Sequence, residues 1–134
     1  NNELELAEIG FSIHTNRVPV IDGHTVVLTV ELDAPLADIE LARRALVEYQ
    51  APAVSRALPS APQPVIRVRD EANRPQPRLD IMEGKGMTTS VGRIRPDDLF
   101  DLRMVTVSHN TIRGAAGGSI YNGELLVEQG FISR

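Results

Sequence analysis

Short runs of β-branched residues, separated by breaks that contain glycine or proline, limit the folds open to this chain more than any other feature. Ile, Val, Phe and Thr are frequent from Leu4 to Val20, and a second such run spans Val26 to Leu32. Asp22-Gly23 lies between them, and Asp-Gly between apolar strands is a strong hairpin signal because both central positions of the turn need positive φ. The sequence therefore predicts that these two strands pair antiparallel.

The rest of the chain alternates further strands with two helices. Three more strands are predicted, at Val65 to Val68, Thr89 to Ile94 and Leu102 to Ser108. Apolar residues at helical spacing predict an amphipathic helix from Leu36 to Gln50. A terminal helix is predicted over about residues 111–129, beginning near Asn110 or Thr111, which could cap it, and ending before Gly130. The fold class is therefore α+β, a mostly antiparallel sheet with helices packed on one face, in a single domain over residues 1–134.

Composition excludes several classes of function. Apolar residues make up 42% of the 134 and charged residues 24%, values of a soluble globular fold. The net charge is −4 and the basic residues are scattered, so we expect no nucleic-acid partner. The sequence has no apolar run of the roughly 18 residues that a membrane helix needs, and its first residues are polar and acidic, so we expect a cytoplasmic protein. The absence of Cys, and of metal-ligand spacing around His14 and His109, predicts no disulfide and no metal site.

The first candidate constellation is Arg17 with His24. If Asp22-Gly23 is a two-residue turn, Ile21 faces His24, and strand alternation places Arg17 on the same face. Four residues of strand place the position of Arg17 roughly 13 Å from that of Ile21 and His24. The two long side chains could narrow this gap around a small acid. Arg17 offers a fork of donors for a carboxylate, and His24 can exchange protons near neutral pH. The alternative is an Arg in a surface ion pair and a His that caps a turn.

The second constellation joins the last strand to the terminal helix, from Ser108 to Gly118. Its glycines match neither the dinucleotide fingerprint nor a P-loop, so we expect no phosphate loop. Each Gly inside a helix costs about 1 kcal/mol relative to Ala. Gly114, Gly117 and Gly118 therefore predict close contact with another backbone, a cofactor or both, the alternative being packing alone.

Four motifs together resemble one enzyme family, the aspartate-semialdehyde dehydrogenases of the archaeal and fungal type. They follow the family's order along nearly the whole chain: Arg17-Val18-Pro19-Val20 with Gly23-His24-Thr25, Arg74-Pro75-Gln76-Pro77-Arg78-Leu79-Asp80, Val91-Gly92-Arg93-Ile94-Arg95, and His109-Asn110-Thr111-Ile112-Arg113-Gly114-Ala115-Ala116-Gly117. The resemblance implies the C-terminal part of an enzyme that reduces aspartyl phosphate to aspartate semialdehyde with NADPH, through a thioester on Cys, in the biosynthesis of lysine, methionine and threonine.

The resemblance also implies roles for single residues. Arg17 would bind the substrate carboxylate, His24 would be the general acid/base, and Asn110 would lie near the nicotinamide. The terminal helix would pack on a nucleotide-binding domain that has no counterpart in these residues, and the sheet would build the interface of a homodimer or homotetramer. Since the thiol and the Rossmann domain of the family are also missing here, we expect this piece alone to be inactive.

Two rival interpretations stay open at this point. Malonyl-CoA reductase is a relative whose terminal segment is also similar to His109 to Gly118 and to Glu124-Leu125-Leu126-Val127-Glu128. A non-catalytic oligomerisation module of the same fold would also be consistent with the missing Cys. The sequence does not decide between NADP and NAD, because the residues that read the ribose 2′ position belong to the domain that these residues do not include.

Overall fold

A computed structural model describes residues 7–133. The strands are β1 (His24–Val30), β2 (Ile66–Arg69), β3 (Thr89–Pro96) and β4 (Leu102–Ser108). The α-helices are α1 (Ile39–Glu48), α2 (Ala53–Arg56), α3 (Pro77–Asp80) and α4 (Gly117–Glu128). A 3-10 turn spans Glu83–Gly86, and a π-helical turn spans Ile112–Ala116 immediately before α4.

The four strands form one sheet in the order β1-β4-β3-β2. β4 pairs antiparallel with both β1 and β3, while β2 pairs parallel with β3. The interior strands carry much of the small core, which consists of Leu58, Met87, Val91, Leu102 and Val107. This architecture confirms the predicted α+β class with a mostly antiparallel sheet.

The predicted hairpin around Asp22-Gly23 is wrong. Residues 7–23 form no strand in the structure, and β1 begins at His24 and pairs with β4, with His24 opposite Ser108. Gly23 does adopt a positive φ of 110°, but it uses that freedom to approach α3 and not to reverse the chain between paired strands. The first residues of the predicted strand, Leu4 to Leu6, lie outside the described part of the chain.

The other predicted elements are confirmed, with shifted ends. The amphipathic helix is α1, where the side chain of Asp38 accepts a hydrogen bond from the Glu40 N–H at 3.0 Å. The terminal helix corresponds to the π-helical turn plus α4, and it ends at Glu128, two residues before Gly130, which has a φ of 77°. The short helices α2 and α3 are not among the predicted elements, and both lie in stretches that contain several prolines.

A bulge interrupts β3 where it passes the loop before α3. The pairing with β4 shifts between Gly92 and Arg95, and Arg93 has a positive φ of 55°. A Cβ atom on Gly92 would lie 2.6 Å from the carbonyl oxygen of Arg74, so only glycine fits there. Two of the motifs found in the sequence, the segment 74–80 and the segment 91–95, therefore pack directly on each other.

Among residues 7–133, none of the helices combines the length and the apolar character that a membrane span needs.

Candidate functional site

The start of β1 meets the junction between β4 and the π-helical turn. The N–H of Gly23 donates a hydrogen bond to Oδ1 of Asn110 at 2.8 Å, although the two residues are 87 positions apart in the sequence. His24 follows Gly23 and stands opposite Ser108 in the sheet. The fold thus brings two of the predicted site residues, His24 and Asn110, into one region through the backbone of Gly23.

Gly23 contacts helix α3 as well as Asn110. A Cβ atom on Gly23 would lie 2.9 Å from Cγ2 of Ile81 and 3.2 Å from Cβ of Pro77. Gly23 is buried in this contact, whereas His24 is exposed. The backbone before the imidazole is therefore confined while the imidazole itself is open to a ligand.

An open cleft of about 700 Å³ runs beside this contact. One wall is the segment Pro19–Asp22, and the other is formed by Gln76, Pro77, Arg78 and Ile81. Arg17 lies two residues before the first wall in the sequence, and His24 lies two residues after it. The cleft has room for a small polar metabolite, and its lining combines apolar side chains with a guanidinium and a carboxylate.

That the side chains of Arg17 and His24 converge on one site stays a prediction. Both side chains are exposed, and within residues 7–133 neither makes a side-chain hydrogen bond or an ion pair. The geometric argument for a shared face depended on the hairpin, which is absent. Neither residue lines the cleft; the segment between them in the sequence, Pro19–Asp22, forms one of its walls.

A buried charge network holds α3 in place, and the sequence analysis did not identify it. Asp80 is fully buried and accepts hydrogen bonds from Arg74 through Nε at 2.8 Å and through Nη2, and from the N–H of Gln76 at 2.6 Å. Nε of Arg69 lies 3.0 Å from Oδ1 of Asp80 as an ion pair without hydrogen-bond alignment. The sequence offers no local signal for this network, because Asp70, Glu71 and Asp80 all lie near Arg69 and Arg74.

These contacts set the charge state of Asp80. Burial alone would raise the pKa of this carboxyl, but the hydrogen bonds from Arg74 and from the Gln76 N–H, together with the charges of Arg69 and Arg74, lower it below its ordinary value. The same hydrogen bond and ion pair raise the pKa of Arg74. The carboxylate is therefore the stable form in the folded protein, and it anchors the wall of the cleft that contains Gln76 and Arg78.

His109 caps the start of the last helical segment, where the sequence predicted Asn110 or Thr111 as the cap. Its Nδ1 accepts hydrogen bonds from the N–H groups of Thr111 and Ile112, both at 3.3 Å. An accepting Nδ1 carries no hydrogen, so in this network the ring N–H is at Nε2. His109 is buried, so it is a structural residue, and Asn110 is left to bond Gly23.

Gly117 and Gly118 are explained by internal packing, whereas a Cβ atom on Gly114 would make only an ordinary contact, 3.7 Å from the His109 carbonyl oxygen. A Cβ atom would lie 2.6 Å from Sδ of Met87 if placed on Gly117, and 2.6 Å from the Arg113 carbonyl oxygen if placed on Gly118. At Gly117 and Gly118 the space is thus filled by this chain's own atoms. Within residues 7–133 there is also no group of three or more His, Asp or Glu that could hold a metal ion.

Comparisons with known proteins place the chain among related sequences. Residues 1–113 match the family described as "Semialdehyde dehydrogenase, dimerisation domain". The chain is 46% identical over 130 residues to an aspartate-semialdehyde dehydrogenase of Archaeoglobus fulgidus, an alignment that covers 97% of this chain and 36% of that protein. It is 48% identical over 124 residues to the corresponding protein of Methanothermobacter thermautotrophicus, covering 91% and 35%.

Solved structures agree with the sequence matches. The aspartate semialdehyde dehydrogenase of Candida albicans, crystallised with NADP, superposes with a TM-score of 0.76 at 45% identity, covering 86% of this chain and 32% of that one. An aspartate semialdehyde dehydrogenase II of Vibrio cholerae gives a TM-score of 0.66 at 28% identity, covering 85% and 30%. The chain thus spans about a third of the length of the relatives that it matches.

Proposed function

Because the chain belongs to the semialdehyde dehydrogenase dimerisation-domain family, we propose that it forms the C-terminal part of an aspartate-semialdehyde dehydrogenase. The reaction is the reductive dephosphorylation of L-aspartyl 4-phosphate to L-aspartate 4-semialdehyde, through a thioester on a Cys. These 134 residues include no Cys, so the thiol belongs to another part of the longer protein, and this part alone is inactive. The product feeds the biosynthesis of lysine, methionine and threonine, and the enzyme is cytoplasmic.

His24 serves as the general acid/base in this proposal. The observation that carries it is the hydrogen bond between Gly23 and Asn110, because it joins the motif that contains His24 to the motif that starts the terminal helix. An exposed imidazole on a confined backbone suits proton transfer to and from a thiol or a substrate oxygen near neutral pH. The cleft beside it provides room for the substrate.

Arg17 binds the carboxylate of the substrate. Its guanidinium presents paired donors that match a carboxylate, and its exposure leaves those donors available. The segment Pro19–Asp22 connects Arg17 to His24 and forms one wall of the cleft. A substrate with a carboxylate at one end and a reacting carbonyl at the other fits this arrangement.

The nucleotide cofactor is NADP, held mainly by a domain outside these residues. Gly117 and Gly118 of α4 are packed against Met87 and Arg113, so the proposal assigns the cofactor's phosphates to that other domain. Asn110 is the one contact proposed from this chain, through its amide near the nicotinamide. When bound, the cofactor supplies the hydride.

Two apolar surfaces of this chain support the larger assembly. α4 and the residues after it expose Ile120, Phe131 and Ile132, which fits packing on the nucleotide-binding domain. β1, at the edge of the sheet, exposes Val27, which fits a homodimer or homotetramer built through the sheet. Light scattering of the full-length protein at micromolar concentration should give a mass of at least two chains, and a monomeric mass would contradict the dimer.

Substituting His24 in the full-length enzyme tests the catalytic assignment. His24→Ala should lower the turnover of aspartate semialdehyde by on the order of 10²- to 10⁴-fold, since it removes the general acid/base. His14→Ala, at an exposed histidine of the same segment, is the matched control and should leave turnover unchanged. Near-normal turnover of His24→Ala would remove this residue from the mechanism.

Arg17→Lys tests substrate binding in the same enzyme. An ammonium cannot reproduce a bidentate carboxylate contact, so KM for the substrate should rise while kcat changes little. Arg44→Lys, at an exposed position of α1, is the control and should leave KM unchanged.

A second assay distinguishes the aspartyl enzyme from a malonyl-CoA reductase. The full-length enzyme is given malonyl-CoA or aspartate semialdehyde as substrate, and a preference for malonyl-CoA would overturn the proposed aspartyl substrate.

A further inference from the structure

Gly23 is held between two independently anchored parts of the fold. On one side its N–H donates to Oδ1 of Asn110 at 2.8 Å, and on the other its Cα faces Pro77 and Ile81 so closely that a Cβ would not fit. Gly23 is buried, while the next residue, His24, is exposed. The backbone of His24 therefore takes its position from what holds Gly23.

The Asn110 side of this contact is rigidly supported. His109, which is 5% exposed, accepts hydrogen bonds from the N–H groups of Thr111 and Ile112, and so closes the turn around Asn110. Just before it, the hydroxyl of Ser108 bonds the hydroxyl of Thr89 at 2.6 Å across the sheet. Asn110 thus lies between a strand end and a helical turn that are both fixed by hydrogen bonds.

The α3 side is anchored by charge. Asp80, at the end of α3, is fully buried and bound by Arg74 and by the N–H of Gln76. Pro77, the residue that faces Gly23, begins this same helix. Movement of α3 relative to Gly23 would therefore require the buried ion pairs to rearrange.

From these contacts we infer that Asn110 is a positioning residue for His24, acting through the N–H of Gly23 while α3 closes the opposite side. This inference rests on the proposed role of His24, and it assigns to Oδ1 of Asn110 a task separate from any contact that its amide nitrogen makes with the cofactor. Loss of Oδ1 leaves the buried N–H of Gly23 without its acceptor, so the backbone there shifts to find another. A displacement of about 1 Å at a catalytic group can cost on the order of 10²-fold in rate.

The test compares Asn110→Ala with Asn110→Asp in the full-length enzyme, each at its own optimum pH. Asp keeps an acceptor oxygen at the same distance, whereas Ala has none. Asn110→Ala should lower kcat by roughly 10- to 100-fold at saturating substrate and cofactor, and Asn110→Asp should recover most of that loss. Hydrogen exchange at the Gly23 amide should become faster in Asn110→Ala and stay slow in Asn110→Asp.

A second variant reaches the same turn from the α3 side. Gly23→Ala places a Cβ against Pro77 and Ile81 without touching Asn110, and it should likewise lower kcat with little change in KM for NADPH. It keeps the inference testable if Asn110→Ala does not fold.

Three results would overturn the inference. One is a higher KM for NADPH in Asn110→Ala at unchanged kcat, since Asn110 would then be a cofactor contact alone. Another is an unchanged exchange rate at the Gly23 amide in Asn110→Ala. The third is a wild-type kcat in Gly23→Ala. A different result would contradict the proposed catalytic role of His24, namely normal turnover of His24→Ala. Failure of the inference about Asn110 and failure of the proposed function are therefore distinguishable.

Discussion

Replacing Asp80 with Asn removes a buried charge from the middle of the network that anchors α3. Both carboxylate oxygens are used twice: Oδ1 faces Nη2 of Arg74 and Nε of Arg69, and Oδ2 accepts from Nε of Arg74 and from the N–H of Gln76. An Asn side chain must place its NH₂ group in one of these two positions. Either orientation sets donors against donors, so rotating the amide does not rescue the contact.

The size of the effect follows from burial. Removing one partner of a buried ion pair costs about 3–5 kcal/mol, because the remaining charges are left without compensation. Asp80 is 0% exposed, but the side chains of Arg69 and Arg74 are each 19% exposed, so water can solvate them in part. We therefore expect Asp80→Asn to lower the free energy of unfolding by about 3 kcal/mol, the lower end of this range.

Urea unfolding followed by circular dichroism measures this loss. With an m-value of about 2 kcal/mol/M, the midpoint of Asp80→Asn should fall by roughly 1.5 M. Asp98→Asn makes the same chemical change at an exposed position and should alter the unfolding free energy by less than about 0.5 kcal/mol. A loss below about 1 kcal/mol in Asp80→Asn would refute the reasoning, since the network would then contribute no more than a surface pair.

Two further outcomes are expected. Because the folded-state pKa of Asp80 is lowered, its stabilising contribution is present above the ordinary Asp pKa of about 3.9 and is lost as the pH falls through the lowered value. The gap in urea midpoint between wild type and Asp80→Asn should therefore be constant from about pH 7 to pH 5 and narrow below about pH 4; a gap that widens on acidification would contradict the assignment. Gly92→Ala places a Cβ 2.6 Å from the Arg74 carbonyl oxygen and should destabilise the protein by about 1–3 kcal/mol in the same urea assay, whereas Gly10→Ala, with open space around it, should change stability by less than about 0.5 kcal/mol. Equal stability of these two glycine variants would show that the Gly92 contact is not tight.

The incorrect hairpin prediction shows that local sequence signals do not determine which strands pair. Asp22-Gly23 between two apolar runs is a strong local signal, yet the sheet partner of β1 is β4, about 80 residues further along the chain. The prediction of a positive φ at Gly23 is confirmed, but this glycine packs against Pro77 and Ile81 and does not form a hairpin turn. A turn signal identifies the conformation of a residue, whereas the pairing of strands depends on which of several apolar faces meet in three dimensions.

In the candidate site, too, some residues could be predicted from the sequence and others only from the structure. His24 and Asn110 are predicted site residues, and in the fold the side chain of Asn110 bonds the backbone of Gly23, the residue before His24. Asp80 was missed as an anchor because nothing local distinguishes a buried carboxylate from an exposed one. Its importance arises from Arg69, Arg74 and the Gln76 N–H converging on it, which is a property of packing.

What the sequence determined by itself was the location of the longer elements: the four strands through their β-branched runs and the two long helices through their apolar spacing. It also determined the family, through four motifs that keep their order. The tertiary structure alone decided which strands pair, which glycines are required by contact, and which charges are buried. These depend on atoms that are distant in sequence, and the free energy of each contact is set by the surroundings that folding creates.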